Sequence, residues 1–257
     1  MTCKAVLLDY IGTLVEPQNY TLETSKRNLH RVLCQVGLKS SRKEFLEAYA
    51  EAHEKYRKIR YKELREVTNA VWVSETLNNI NCKTHPEDPR LKGALNSFFQ
   101  DFINSLKLRP HAKKLIKTAA EHCKVGLVSN FTYAPAIYAS LRKLGINQYF
   151  NTVLISQEIG WRKPHRIVFD QVLKILQAAP NEALFVGDSP TEDIKGAKTL
   201  GIRTVFVESQ FNTLANLKKC GVRPDIAVQD LKEVCNKLTE LIQQMEAAQA
   251  DLSFSRT

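Results

Sequence analysis

Four stretches of the sequence put reactive side chains directly after apolar runs. Asp9 follows Ala5-Val6-Leu7-Leu8 and precedes Tyr10-Ile11-Gly12-Thr13-Leu14. Ser129 and Asn130 close the run that begins at Val125. Lys163 lies in Gly160-Trp161-Arg162-Lys163-Pro164, and Gly187-Asp188 follows Ala183-Leu184-Phe185-Val186 and leads on to Asp193. Three acids, hydroxyls and a lysine are the material of nucleophilic and charge-stabilised chemistry. Each alone has a plainer use. An Asp after a strand commonly makes a turn, Ser-Asn after a strand commonly caps a helix, and a single lysine is commonly solvated. Their joint occurrence, each at the end of an apolar run, is what singles them out.

The runs themselves must position these groups. Strands are predicted at Lys4–Tyr10, Lys124–Asn130, Thr152–Ser156, Ala183–Asp188, Arg203–Glu208 and Asp225–Val228. Continuous apolar stretches of this kind suit strands buried on both faces of a parallel sheet. Helical segments such as Ala134–Leu144 and Pro164–Gln177 alternate with them, and Gly145 and Gly201 stand where left-handed helix C-termini fall. The fold class is therefore α/β, a doubly wound parallel-sheet core. Ligands in such sheets bind beyond the carboxyl ends of the strands, where the four stretches place their side chains.

From about Pro17 to Lys107 the rhythm changes to nearly continuous helix. Ser41 and Glu44 form a capping-box pattern, and Phe45, Tyr49, Ala52, Tyr56 and Ile59 recur at helical spacing. Glu51/Lys55 and Glu54/Lys58 are expected to pair four residues apart on a solvated face. His85-Pro86-Glu87-Asp88-Pro89 breaks the helices. The expected division is an α/β core at 1–16 and 108–241, a helical insertion at 17–107 and a C-terminal tail at 242–257, frayed beyond about Ala247.

Composition narrows the class of molecule. Lys and Arg number 37 against 27 Asp and Glu, a net charge of +10. The basic residues are dispersed and no nucleic-acid motif accompanies them, so the expectation is a field that attracts a small anionic substrate, without nucleic-acid binding. No apolar run approaches the roughly 18 residues of a membrane span, and no secretory signal is visible at the N-terminus. The six cysteines form no metal-binding spacing and suit reduced thiols, so a cytoplasmic location is expected. Oligomeric state is not legible.

The four stretches, in this order, resemble the four motifs of the haloacid dehalogenase superfamily, and the helical insertion resembles the small cap of one of its branches. The resemblance implies a hydrolase in which Asp9 attacks the substrate and forms a covalent aspartyl intermediate. It implies that Thr13, Ser129 and the backbone amide of Asn130 bind the transferring phosphoryl oxygens, and that Lys163 keeps Asp9 ionised and offsets developing charge. It further implies Mg²⁺ held by Asp9, Asp188 and the backbone carbonyl of Ile11, with Asp193 holding metal-bound water or pairing with Lys163.

One position departs from the pattern. Phosphatases of the superfamily carry a second Asp two residues after the nucleophile, which protonates the leaving alcohol and activates water. Here that residue is Ile11. Superfamily dehalogenases and phosphonate hydrolases also lack the second Asp, but the dehalogenases lack the Gly-Asp pair that Gly187-Asp188 supplies here. Three expectations stand: a Mg²⁺-dependent phosphatase of small phosphorylated metabolites, slowed by the loss of its acid/base; a dehalogenase-like or phosphonate-type hydrolase; and a non-catalytic relative that binds a phosphorylated ligand. Tyr20, Lys26, Arg27, Tyr56 and Arg60 are plausible substrate-pocket residues. The histidines at 30, 53, 85, 111, 122 and 165 lack partners at ligand spacing.

Overall fold

The computed structural model describes the backbone of residues 3–254 and the side chains of residues 3–245. Strand β1, Ala5–Leu8, is buried on both faces. Its side chains feed two apolar layers in alternation: Val6 and Leu8 join one cluster, Ala5 and Leu7 the other. This is the period-2 geometry of a central strand. Around it, β4 (Lys124–Ser129), β5 (Thr152–Ile155), β6 (Ala183–Gly187), β7 (Arg203–Val207) and β8 (Ile226–Val228) complete a six-stranded sheet, ordered β5-β4-β1-β6-β7-β8. All its pairings are parallel, with Leu8 opposite Leu127 on one side and Val186 on the other. The chain leaves β1 toward β4 and β5, then crosses back to β6. That reversal opens a crevice at the carboxyl ends of β1, β4 and β6.

Helices cover both faces. Helix α8 (Arg166–Leu176) sends Val168, Phe169, Val172 and Leu176 into one cluster. Helices α5 (Ala112–His122), α6 (Ala134–Lys143) and α11 (Leu231–Phe254) cover the other face through Leu115, Ile137 and Leu238. Short helices α7 (Ser156–Ile159), α9 (Gly196–Thr199) and α10 (Leu214–Lys219) fill connections. Gly145 and Gly201 hold φ of +63° and +81° after their helices, as expected.

Between β2 (Val15–Pro17) and β3 (Leu106–Leu108) lie α1 (Leu22–Gln35), α2 (Arg42–Lys62), α3 (Asn69–Asn79) and α4 (Pro89–Ser105). α1 packs on α4 and α2 on α3. The buried stripe of α4, with Leu91, Leu95, Phe98, Phe99 and Phe102, has the three- and four-residue spacing of an amphipathic helix. The Ser41 hydroxyl accepts from the Glu44 amide at 3.1 Å, and Asp88 caps α4 through the Arg90 amide at 2.9 Å with Pro89 in the first turn.

Four details differ from the expectation. β2 and β3 form an antiparallel ribbon, Val15 opposite Leu108, at the two ends of the helical insertion. Three-residue strands carry too little alternation to be recognised in sequence. The i,i+4 pairs on α2 are replaced by others: Lys55 reaches Glu75 on α3 at 2.9 Å, and Glu54 pairs with Arg57 at 2.8 Å. α8 begins at Arg166, with the His165 side chain accepting from the Ile167 amide, so Lys163-Pro164 belongs to the preceding loop. The expected frayed tail is helix as far as Phe254, because Leu231, Val234, Leu238 and Leu241 anchor α11 on the sheet; residues 255–257 lie outside the described residues. No described helix is long and apolar enough to cross a membrane.

Candidate active site

Asp9 stands one residue beyond β1, in the crevice where the chain direction reverses. Its Oδ1 accepts from Lys163 Nζ at 2.7 Å and its Oδ2 from the Thr13 hydroxyl at 2.9 Å. Lys163, 1% exposed, also donates to the Val128 carbonyl at 2.7 Å and stands 2.7 Å from Asp193 Oδ1. The Asp193 contact is an ion pair between two fully buried side chains. Three acceptors thus surround the ammonium's three hydrogens, and Lys163 is held as a fixed charge. Burial alone would lower its pKa, but the Asp193 and Asp9 charges outweigh that and raise it above the ordinary lysine value. A lysine held so firmly protonated supplies charge to this site and no proton.

Asp188 follows β6 and faces Asp9. Its Oδ2 accepts from the Ser209 hydroxyl at 2.6 Å and the Asn212 amide at 3.1 Å. Ligand oxygens of Asp9, Asp188 and Asp193 lie within 4.8 Å of one another, and all three residues are buried. Two glycines make room for them. A Cβ on Gly12, whose φ is +94°, would come within 2.4 Å of Asp188 Oδ2, and one on Gly187 within 2.5 Å of Asp193 Oδ2.

Burial first, then the neighbouring Asp9 charge, push the Asp188 carboxyl up to about 6. Burial raises Asp193 well above the usual carboxylate range, against the pull of Lys163. Asp188 therefore binds its proton more tightly in the folded than in the unfolded chain. Its contribution to stability is greatest at acid pH and is lost as the pH rises through about 6. In chelator, Asp188→Asn should gain stability relative to wild type between about pH 4 and about pH 7. Melting temperatures that stay equally spaced at both pH values would show that Asp188 is not raised.

The remaining candidate residues divide into two groups. Ile11, Ser129 and Asn130 line the open cleft with Asp9, Asp188 and Asp193. Thr13, expected to face substrate oxygens, is fully buried, and its hydroxyl turns onto Asp9 and, at 3.5 Å, onto Asp188. The side chain of Asn130 is committed: Nδ2 donates to the Lys163 carbonyl and to Glu192, both at 2.9 Å, and Oδ1 accepts from the Lys163 amide at 2.7 Å. It fixes the Lys163 backbone.

Of the plausible pocket residues, Tyr20 and Arg60 line cavities. Lys26 instead pairs with Glu23 at 2.8 Å, Tyr56 donates to Glu75 at 2.6 Å, and Arg27 lines neither cavity. Trp161 stacks on His165 with ring centroids 4.0 Å apart, a packing role, while Arg162 lines the cleft.

The sequence reading missed three groups. Ser209 and Asn212 hold Asp188 from the loop after β7, where no apolar run marks them. Arg109 donates to the Gly12 carbonyl at 2.5 Å and the Glu208 carbonyl at 2.6 Å, tying the loop after Asp9 to that same β7 loop. Glu66, with a fully buried side chain, accepts from Arg60 Nε at 2.5 Å and from the Ser156 hydroxyl, so the helical insertion is pinned to the core beside Arg162. Its only sequence signal is a charge shortly after the end of α2.

Known proteins resemble this chain in sequence and in fold. The family model of haloacid dehalogenase-like hydrolases matches residues 3–201. A glyceraldehyde 3-phosphate phosphatase of Methanopyrus kandleri is 30% identical over 211 residues, 79% of this chain and 83% of that one. A 2-haloacid dehalogenase from Pseudomonas syringae pv. tomato superposes with a TM-score of 0.65 at 18% identity, covering 94% of this chain and 98% of the other. The magnesium-bound hydrolase YfnB of Bacillus subtilis gives 0.59 at 17% identity, covering 92% and 98%. At such identities the two structures speak for the fold alone.

Proposed function

From the premise that this chain belongs to the haloacid dehalogenase-like hydrolases, we propose that it is a Mg²⁺-dependent phosphatase of small phosphorylated metabolites with Asp9 as nucleophile. The observation that carries this reading is the charge of the crevice. Three buried carboxylates share one ammonium, a formal excess of two negative charges. Like charges so close and so buried are costly unless a cation joins them. A cluster of buried carboxylate oxygens is a donor set that fits hard Mg²⁺. Asp9 and Asp188 would hold it, with the Ile11 carbonyl beside them and Asp193 behind. Bound there, the ion would offset the repulsion between the Asp9 carboxylate and an anionic phosphoryl group.

The chain's own residues supply the rest. Asp9 attacks phosphorus in line, the bond to the leaving alcohol breaks, and water then hydrolyses the aspartyl phosphate. Lys163 neutralises charge on the Asp9 side of the reacting group, while Ser129 and the main chain at Asn130 bind its oxygens. At Ile11 no proton is available for the leaving alcohol, so esters of acidic alcohols react best. The Methanopyrus phosphatase supports a small phosphorylated substrate. We place the reaction in the cytoplasm, where the free thiols of Cys34, Cys82, Cys220 and Cys235 stay reduced.

Ile11 favours one other reading, a dehalogenase-like hydrolase whose halide leaving group needs no proton. A panel of phosphate esters and L-2-haloacids, assayed with and without Mg²⁺, separates the two. Calorimetry should show Mg²⁺ binding at millimolar concentration in the wild type and strongly weakened binding in Asp188→Ala. Full activity in chelator together with no measurable Mg²⁺ binding would replace the phosphatase reading with the dehalogenase one.

A further inference from the structure

Arg109 is the first residue after β3, where the chain re-enters the core, and its amide donates to the Leu14 carbonyl at 3.0 Å. Its side chain is 10% exposed, and each of its nitrogens has a partner. Nη1 donates to the Gly12 carbonyl at 2.5 Å and, more weakly, to the Thr13 carbonyl at 3.4 Å. Nη2 donates to the Glu208 carbonyl at 2.6 Å, and Nε stands 3.1 Å from Glu16 Oε1.

The three carbonyls belong to the backbone that shapes the acid crevice. Gly12 lies against Asp188, whose Oδ2 a Cβ at residue 12 would meet at 2.4 Å. Thr13 donates to Asp9 Oδ2 at 2.9 Å. Glu208 precedes Ser209, whose hydroxyl donates to that same Asp188 Oδ2 at 2.6 Å. Asp188 is thus gripped between the loop after Asp9 and the loop after β7, and one planar guanidinium bridges the two backbones. Such a rigid fork holds two acceptors at a set separation, which a flexible ammonium does not.

We propose that Arg109 is a positioning residue: it fixes the separation of Asp9 and Asp188 and so makes the crevice selective for Mg²⁺ over a larger cation such as Ca²⁺. The inference rests on the reading of the crevice as a Mg²⁺ site. Mg²⁺ demands near-ideal octahedral geometry with oxygens at about 2.0–2.1 Å, whereas Ca²⁺ accepts irregular coordination at about 2.3–2.6 Å. A crevice with its walls tied together suits the first ion. One whose walls can part suits the second.

Loss of the guanidinium has two effects of opposite sign. Removing a positive charge near the crevice favours the binding of any cation. Releasing the two loops disfavours the ion with the stricter geometry. Geometry is the larger effect in this proposal, so the sign of the change in Mg²⁺ affinity decides it.

Mg²⁺ and Ca²⁺ are titrated calorimetrically into the wild type, Arg109→Met and Arg109→Lys. Arg109→Met should weaken Mg²⁺ binding about tenfold or more, as loss of a group that orients metal ligands does elsewhere. Ca²⁺ binding should weaken less, so the ratio of the two dissociation constants moves toward Ca²⁺. Arg109→Lys keeps the charge and loses the fork, and should show the same shift in ratio. The Mg²⁺ concentration for half-maximal turnover should rise with the dissociation constant, while KM for the phosphate ester at saturating Mg²⁺ stays near the wild-type value. Unchanged or tighter Mg²⁺ binding in Arg109→Met, or a constant Mg²⁺/Ca²⁺ ratio in the variants, would overturn the proposal and leave the Mg²⁺ site standing. Should Arg109→Met fail to fold, Arg109→Lys carries the comparison, because with the charge unchanged a shift in ratio reports geometry. If the wild type binds neither ion at millimolar concentration, the Mg²⁺ reading of the crevice falls and this proposal falls with it.

Discussion

Asp9→Asn is expected to reduce turnover of every substrate by on the order of 10⁴-fold or more, as removal of a nucleophile does elsewhere, while the protein stays folded. The amide keeps the shape of the carboxylate and can still face the Thr13 hydroxyl. What it loses is the negative charge that the proposed mechanism directs at phosphorus. The effect on stability has the opposite sign. Asp9 raises the pKa of both Asp188 and Asp193, so it is a like-charge burden on the crevice. Lys163 retains Asp193 and the Val128 carbonyl after the substitution. In chelator, Asp9→Asn should therefore melt no lower than wild type, and added Mg²⁺ should raise its melting temperature less than it raises the wild type's. Steady-state assays on a contaminant-free preparation and melting curves with and without Mg²⁺ check both halves. Turnover above a tenth of wild type, in a folded variant, would remove Asp9 from the role of nucleophile.

Ile11→Asp is expected to raise turnover of alkyl phosphates by on the order of 10²-fold, the lower end for a positioned general acid/base. Residue 11 is two residues from Asp9, is half-buried and lines the cleft beside it. A carboxyl group there has water on one side, so the desolvation that would strip it of charge is limited. Arg60 and Tyr61 line the same cleft and offer polar company. In the wild type, attack by Asp9 depends less on the missing group than hydrolysis of the aspartyl phosphate does, so the covalent intermediate should accumulate. Aryl phosphates, whose leaving groups need little protonation, should gain less from the substitution than alkyl phosphates. Turnover of both ester types by both proteins, with rapid-quench detection of the phosphorylated chain, gives the test. A folded variant that binds Mg²⁺ and shows no gain on either ester would count against the phosphatase reading.

Much of this site is legible from sequence because its residues follow strands buried on both faces. Ala5–Leu8 and Ala183–Gly187 are apolar at every position, and in a parallel sheet such a run has few alternatives. The polar residue that ends it marks the carboxyl edge, which made Asp9, Ser129 and Asp188 readable. Ser209 and Asn212 were not, because they sit in a polar loop where nothing local distinguishes a side chain that reaches 2.6 Å from a buried carboxylate from one in water. The Arg60–Glu66–Arg162 group was hidden for another reason. Its burial arises from the packing of the helical insertion against the core, and charges near a helix end read in sequence as a solvated face. The surface pairs of α2 were misassigned because long side chains choose among several near-equal partners, and each choice is worth only a few tenths of a kcal/mol.

The ribbon of β2 and β3 bears on how such a molecule changes over evolutionary time. Val15 pairs with Leu108, so the two points at which the chain leaves and re-enters the core are neighbouring strand positions, roughly 5 Å apart. To the core, the whole helical insertion is a hairpin loop. Closing a longer or shorter loop across the same two points changes the chain entropy only slowly with its length. One set of helices can thus be replaced by another without disturbing Asp9, six residues upstream of Val15, the ribbon's first strand residue, or the strands that hold it. Core and insertion can vary separately in this architecture: a lineage can exchange these helices for others and keep Asp9 and its neighbours where they are.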